Sequence, residues 1–217
     1  MAVLLIALAS SLGACGSSPG GGTSKVNGSI HITAGAPVGA VATINGSIDT
    51  DDNANLSTAR TVNGGITIGS HASAASLTTV NGAILLKADS RVSGGVTVVN
   101  GAITLQSGAQ VSGPVVNVSG PITLNSSRVS GGITTVNGNV SVLGQSHVEG
   151  GIVVKRPTGL FFHISDAVPK IIIGPGAIVD GDLRFDHAVK LYVSTQAKIG
   201  PVSGATAIAF TGAVPPG

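Results

Sequence analysis

The chain has 217 residues, of which 33 are glycine and 9% are charged, and its only aromatic residues are four Phe and one Tyr. A formal net charge of +2 is too small for a nucleic-acid footprint or a polybasic membrane surface. A hydrophobic fraction of 42%, nearly all Val, Ile, Leu and Ala, exceeds what disordered chains carry, so the protein buries a core, and one too narrow for rings.

Residues 1–12 form an apolar run far short of the roughly eighteen residues that cross a bilayer, and they lead into small residues, the shape of a signal peptide. The sequence Leu12-Gly13-Ala14-Cys15 that follows resembles the bacterial lipobox, in which the Cys becomes the lipidated first residue of the mature protein. Cys15 is the single cysteine, so no internal disulfide can form. The plainer reading is a cleaved signal with an incidental Cys. The absence of Lys or Arg before Val3 favours that reading, unless the start codon is misassigned. Residues 1–14 are therefore expected to be a lipoprotein signal and residues 15–25, rich in Gly and Ser, a flexible tether. Gly16, where an Asp would signal inner-membrane retention in Gram-negative lipoproteins, points to export and anchorage in the outer membrane.

From residue 26 the chain repeats. Asn-Gly recurs at Asn27, Asn45, Asn63, Asn81, Asn100 and Asn137, with Ser119-Gly120 in the missing place, at spacings of 18 or 19 residues. A second series of small residues (Ala36, Ala54, Ala72, Ser90, Ala109, Ser127, Ser146) keeps nearly the same beat, and Gly94, Gly113, Gly131 and Gly150 add a third. Three turn signals per repeat mean three short sides. Stepping by six from Val26, with two one-residue slips, lands almost always on Val, Ile or Leu. That comb places Val26, Ile44, Val62 and Val80 in an inward column, and implies that Asp at Val80 or Val99 would enter a dry lumen and unfold the protein.

The segments are β-branched, Gly-punctuated and locally alternating, which excludes helical repeats. The fold expected is all-β, a three-sided parallel β-helix of 18–19 residues per coil. Coils stacked at roughly 4.8 Å place equivalent side chains in ladders. Like charges would repel along such ladders, whereas Asn and Ser can bond to their copies. Asn-Gly is expected to supply the positive φ of tight corners.

Regular coils occupy residues 26–154 and less regular coils with a carboxyl-terminal cap residues 155–217. Lys155-Arg156-Pro157-Thr158-Gly159 interrupts the pattern, and all aromatics, beginning with Phe161 and Phe162, come after it. About ten coils make a rod of about 50 Å.

The Val-x-Gly-x-Ile phrases, and above all Gly176-Ala-Ile-Val-Asp-Gly-Asp-Leu183, resemble bactofilins, the polymer-forming bacterial cytoskeletal proteins. The resemblance covers most of residues 26–204. It implies a right-handed β-helix, nucleotide-free end-to-end stacking and a scaffolding role at the membrane, although typical members are cytoplasmic. The phrases at residues 79–84 and 135–140 resemble, more loosely, secreted adhesin-type repeats.

Sites for chemistry are sparse. The hexapeptide beat resembles left-handed β-helix acyltransferases with a His base, but His31, His71, His147, His163 and His187 each occur once per ladder and read as solvated positions. Asp49, Asp51 and Asp52, with Asn53 and Asn55, could collect Ca²⁺, although a polar corner loop explains them more simply. His163, Asp166, Asp180, Asp182, Asp186 and His187 share a region without metal-ligand spacing. The sequence therefore predicts no catalytic residue, no metal, no cofactor and no nucleic-acid partner. It predicts a lipid-anchored, non-catalytic structural protein of the cell envelope. Its partners would be the membrane, through the lipid, and its own kind, through the terminal coils. The first coil, after a Gly-rich tether, lacks an evident cap. The competing reading is a module that binds a wall or surface polysaccharide.

Overall fold

The computed structural model describes residues 21–35, 37–157 and 168–215. Every named strand pairing is parallel, between one coil and the next, as in Val41–Asn45 with Asn55–Asn63 and Ile48–Thr50 with Ile66–Ile68. The chain is a three-faced parallel β-solenoid of about ten coils.

Each coil contributes a strand to face one, ending at the Asn-Gly corner (Val41–Asn45, Val96–Asn100), then a short strand to face two (Ile48–Thr50, Ile103–Leu105), then one to face three (Arg91–Val92, Gln110–Val111). Face two is a ten-stranded sheet, whereas faces one and three belong to one sixteen-stranded sheet. They are joined because Asn55–Asn63 and Ser73–Asn81 run from face three to face one without a break. From the next coil on, Ser93-Gly94-Gly95 and its successors insert one residue at that corner. The register then lengthens from 18 residues (Ala59↔Leu77) to 19 (Leu77↔Val96).

The core is a stack of aliphatic ladders. Ile48, Ile66, Ile84, Ile103 and Ile122 lie above one another in the lumen, and Ile68, Leu86, Leu105 and Leu124 form the neighbouring column, all essentially without solvent exposure. Burying one such side chain stabilises the fold by about 1.5–3 kcal/mol. The small-residue series, Ala54, Ala72, Ser90, Ala109, Ser127 and Ser146, is buried on the inside of the corner between faces two and three, where the chain turns too sharply for a larger side chain. Ala36 lies outside the described residues.

The inward column expected from the six-residue comb is corrected on one face. Val26 is 58% exposed, and Ile44, Val62, Val80 and Val99 all point outward, partly covered. The residues that fill the lumen there are Val41 and Thr43, Ala59 and Thr61, Leu77 and Thr79, and Val96 and Val98. The reason is unequal corners. Successive inward residues are two apart within each face but five, four and three apart across the three corners, as in 41, 43, 48, 50, 54, 56 and 59. An even comb stays in phase with two faces and slips by one residue on the third, and one residue flips a strand side chain to the other surface.

Three smaller differences follow. The strand Thr23–Asn27 begins inside the stretch assigned to the tether. Phe185, 4% exposed, takes the inward position that Val154 holds one coil earlier, so a ring does enter the lumen near the carboxyl-terminal end. At the Asn-Gly corners, Gly28 and Gly101 adopt the expected positive φ of 106° and 152°, whereas Gly46, Gly64 and Gly82 do not. They are glycine because a Cβ on Gly64 would stand 1.9 Å from the Gly46 carbonyl oxygen of the preceding coil.

The interruption after Val154 is a longer excursion from the same corner that carries Asn-Gly elsewhere. It stretches that repeat to 31 residues (Val140↔Ile171) without disturbing the register of the coils on either side. Its roots are fastened to those coils: Lys155 N–H donates to the Thr135 carbonyl at 2.8 Å, and Lys170 N–H donates to Asn139 Oδ1 at 2.8 Å.

Candidate functional site

The Asn-Gly corner, at the end of face one, builds an exposed amide ladder. Asn45 Nδ2 donates to Asn27 Oδ1 at 2.9 Å, Asn63 to Asn45 at 2.9 Å, Asn81 to Asn63 at 3.0 Å and Asn100 to Asn81 at 3.1 Å. Ser119 pairs in register with Asn100 and ends the run. Asn137 holds the corresponding corner one coil later, with its backbone N–H on the Val118 carbonyl, outside this amide chain.

A second ladder runs just inside the first and was not read from the sequence. Thr43, Thr61 and Thr79, buried in the lumen, donate their hydroxyls to the carbonyls of Gly28, Gly46 and Gly64 at 3.2, 3.0 and 2.9 Å. Asn117 takes the same place two coils on, where its Nδ2 reaches both Gly101 and Gly120 carbonyls. The signal is Thr two residues before Asn45, Asn63 and Asn81, but an even comb assigns the lumen to the Ile or Val between them.

Face three also carries exposed polar groups. Over the early coils it forms a groove of about 620 Å³ lined by Asn55, Ser57, Ser73, Arg91, Ser93, Gln110 and Ser112, with Pro37–Gly39 among the lining residues. Farther along, Arg128 and Glu149 form an ion pair. Arg128 Nη1 lies 3.3 Å from His147 Nδ1, and His147 Nε2 lies 2.5 Å from Asp180. Arginine can only donate, so Nδ1 accepts and Nε2 carries the proton directed at Asp180. The chain of contacts sets one cation, Arg128, against two carboxylates, Glu149 and Asp180, and lies at a surface.

Of the other residues singled out from the sequence, His31, Asp49, Asp51 and Asp52 line one pocket together with Thr67 and Lys87, and the rest are dispersed. His31 Nε2 sits 2.9 Å from Asp51, Asp49 accepts from Ser47 Oγ, and Asp52 accepts the Ser70 N–H at 2.7 Å. Asn53 has a left-handed φ of 62° at the corner between faces two and three, and Asn55 accepts from Ser73 Oγ at 3.0 Å. Asp51, Asp52 and Asn55 brace successive coils, whereas Asp49 bonds within its own coil. His71 approaches Asp89 at 3.9 Å, Asp186 pairs with Arg184, and His187 Nε2 meets the Val136 carbonyl. Among the described residues no three His, Cys, Asp or Glu side chains gather as a metal site. Cys15, Phe161, Phe162, His163 and Asp166 lie outside the described residues.

No family model matches the chain, and no curated protein or solved structure matches it either.

Proposed function

We propose that the protein is a non-catalytic structural element of the bacterial cell envelope, exported, anchored at Cys15 by lipid in the outer membrane, and able to stack through its terminal coils in the manner of bactofilins. One observation carries this reading: ten coils keep a continuous parallel register, and at each end the last strands pair on one side only among the described residues. Thr23–Asn27 and Ile30–Ile32 are such edges at one end and Ala207–Phe210 at the other. Unpaired N–H and C=O groups on an edge accept another strand. Lys25 guards the first edge weakly, because its ammonium is folded back onto the Ser29 carbonyl at 2.9 Å.

The groove on face three supports a second reading, in which hydroxyl, amide and Arg91 groups repeating once per coil bind a linear wall or surface polysaccharide. Electron microscopy and polymer binding separate them, and mass spectrometry tests the anchor. Electron micrographs of the purified protein should show unbranched filaments one solenoid wide, and mass spectrometry of the native protein should find diacylglycerol on Cys15. Saturable binding of monomers to peptidoglycan or capsular polymer, reduced by Arg91→Ala, would favour the groove reading. Blank results in both assays would leave only a passive spacer.

A further inference from the structure

The groove on face three is a track along the solenoid axis with a single charge in it. Its lining runs from Pro37 in the first coil to Ser112 in the fifth, about 20 Å at the usual strand spacing. Arg91 is the only charged residue of that lining, and it stands exposed, with no carboxylate paired to it among the described residues. The carboxylates Asp52 and Asp89 of these coils sit at the corner between faces two and three, where Asp52 accepts the Ser70 N–H and Asp89 faces His71 at 3.9 Å. In the outward ladder Ser73 precedes Arg91 and Gln110 follows it. Two coils beyond Arg91, about 10 Å along the axis, the ladder reaches a second guanidinium, Arg128, which holds Glu149. Carboxylates enter face three only from there on, with Glu149 and Asp180.

We infer that the ligand of this groove is a linear acidic glycan in which a uronic acid alternates with an N-acetylated sugar, lying along the axis with a carboxylate on Arg91. The inference rests on the second reading above, that face three binds a polysaccharide, and names the polymer. Shape is the first argument: the groove crosses the strands, and its ladder positions recur at the rise of a coil, about 4.8 Å, close to the advance of one ring in an extended glycan. Charge is the second. An unpaired guanidinium in a groove free of carboxylates selects an anion, and its fork meets a carboxylate with two parallel bonds. Gln110, one coil on, offers an amide donor and an amide acceptor, the complement of an acetamido group. The order guanidinium, amide, guanidinium then suits acidic rings at every second coil. Other polymers lack what they need here. No aromatic ring lines the groove, so the bases of a single-stranded nucleic acid have nothing to stack on. The strands of its central coils are paired on both sides, so a peptide cannot join them as a further strand.

Calorimetric titration of the purified protein with oligosaccharides of hyaluronate, unsulfated chondroitin and heparosan, which alternate a uronate with an N-acetylated hexosamine, tests the inference. At least one should bind saturably, and its carboxyl-reduced form should bind at least about tenfold more weakly, as expected for the loss of a charged hydrogen-bonded pair. Arg91→Gln should bring the acidic form down to the level of the reduced one. Arg60→Gln, which removes an exposed cation on face one, should change nothing, and both variants should keep the β-type circular dichroism. Affinity should rise with length up to about five rings, one per coil. A disaccharide that binds as tightly as the longer oligomers would overturn the axial track. Reduced glycans that bind as well as acidic ones, or an acidic preference that survives Arg91→Gln in a folded protein, would overturn the acidic ligand while leaving the polysaccharide reading standing. Inorganic polyphosphate that competes as strongly as the glycans would overturn the carboxylated sugar. Binding of none of these glycans would also overturn the inference, and the polysaccharide reading would fall with it only where peptidoglycan and capsular polymer fail to bind as well.

Discussion

Thr79 and Val80 are neighbours in the chain and face opposite ways: Thr79 is fully buried in the lumen with its hydroxyl 2.9 Å from the Gly64 carbonyl, and Val80 stands on the outer surface of face one. The pair predicts a reversal of what hydropathy alone suggests. Thr79→Asp should unfold the protein, because a charge would enter the lumen without a partner. Thr79→Val should cost only about 1 kcal/mol, the worth of one hydrogen bond, since Val98 already occupies the same column. Val80→Thr should leave stability unchanged within about 0.5 kcal/mol. Urea unfolding followed by circular dichroism measures all three, and equal losses at Thr79 and Val80 would contradict the phase.

Gly64→Ala should be among the most damaging single-methyl changes in the chain. The added Cβ would meet backbone, 1.9 Å from the Gly46 carbonyl oxygen, and backbone locked in the coil ladder cannot move aside. A loss of about 3 kcal/mol or more is expected, at the top of the overpacking range. Gly28→Ala, in the first coil, meets nothing within 4 Å and loses only through its φ of +106°, so it should cost less. Comparing the two melts separates the two reasons for glycine at these corners, close coil-to-coil approach at Gly64 and backbone sign at Gly28.

The amide ladder predicts a contrast between residues that look identical in the sequence. Asn63 both donates to Asn45 and accepts from Asn81, so Asn63→Ala removes two bonds and should cost about 1–2 kcal/mol, discounted for exposure. Asn137 sits outside the amide chain, and Asn137→Ala should change stability by less than about 0.5 kcal/mol. Chemical denaturation of both variants decides it.

Asp180→Asn should lower stability by less than about 1 kcal/mol, because Asp180 is 59% exposed and its bond to His147 is formed at the surface. A loss of several kcal/mol would mean that the contacts running from Glu149 through Arg128 and His147 to Asp180 act as one buried unit.

Inserting one residue into face two should be far worse than inserting one at the corner between faces three and one. The protein already accommodates the latter where Leu77↔Val96 replaces an 18-residue register by 19. A glycine placed between Ala75 and Ser76, where the corner still has its shorter form, should leave the melting temperature within a few degrees of the parent. A glycine between Ile103 and Thr104 would invert Thr104 and Leu105 and abolish cooperative melting.

The repeat of 18 to 19 residues, three sides and parallel stacking were legible because they are written once per coil: Asn-Gly, the small-residue series and the β-branched strands each recur. Identity between coils makes every copy an independent reading of the same local physics, so errors average out. The place of the excursion after Val154 was legible for the converse reason, as a failure of the repeat. The candidate ligand clusters fared differently. His31 meets Asp51, and His147 meets Asp180 across 33 residues, but a list of His and Asp does not say which share a coil edge until the register is fixed.

What the sequence determined by itself is therefore the solenoid, its period and its exposed Asn ladder, since these depend on local turns and on spacings counted along one chain. What only the tertiary structure decided is which member of each Thr-Val pair looks inward. That choice is set by how many residues each corner consumes, a quantity fixed by the close fit of one coil on the next. Because a strand reverses its surfaces with every residue, this small difference moved a column of valines from the core of the molecule to its outside.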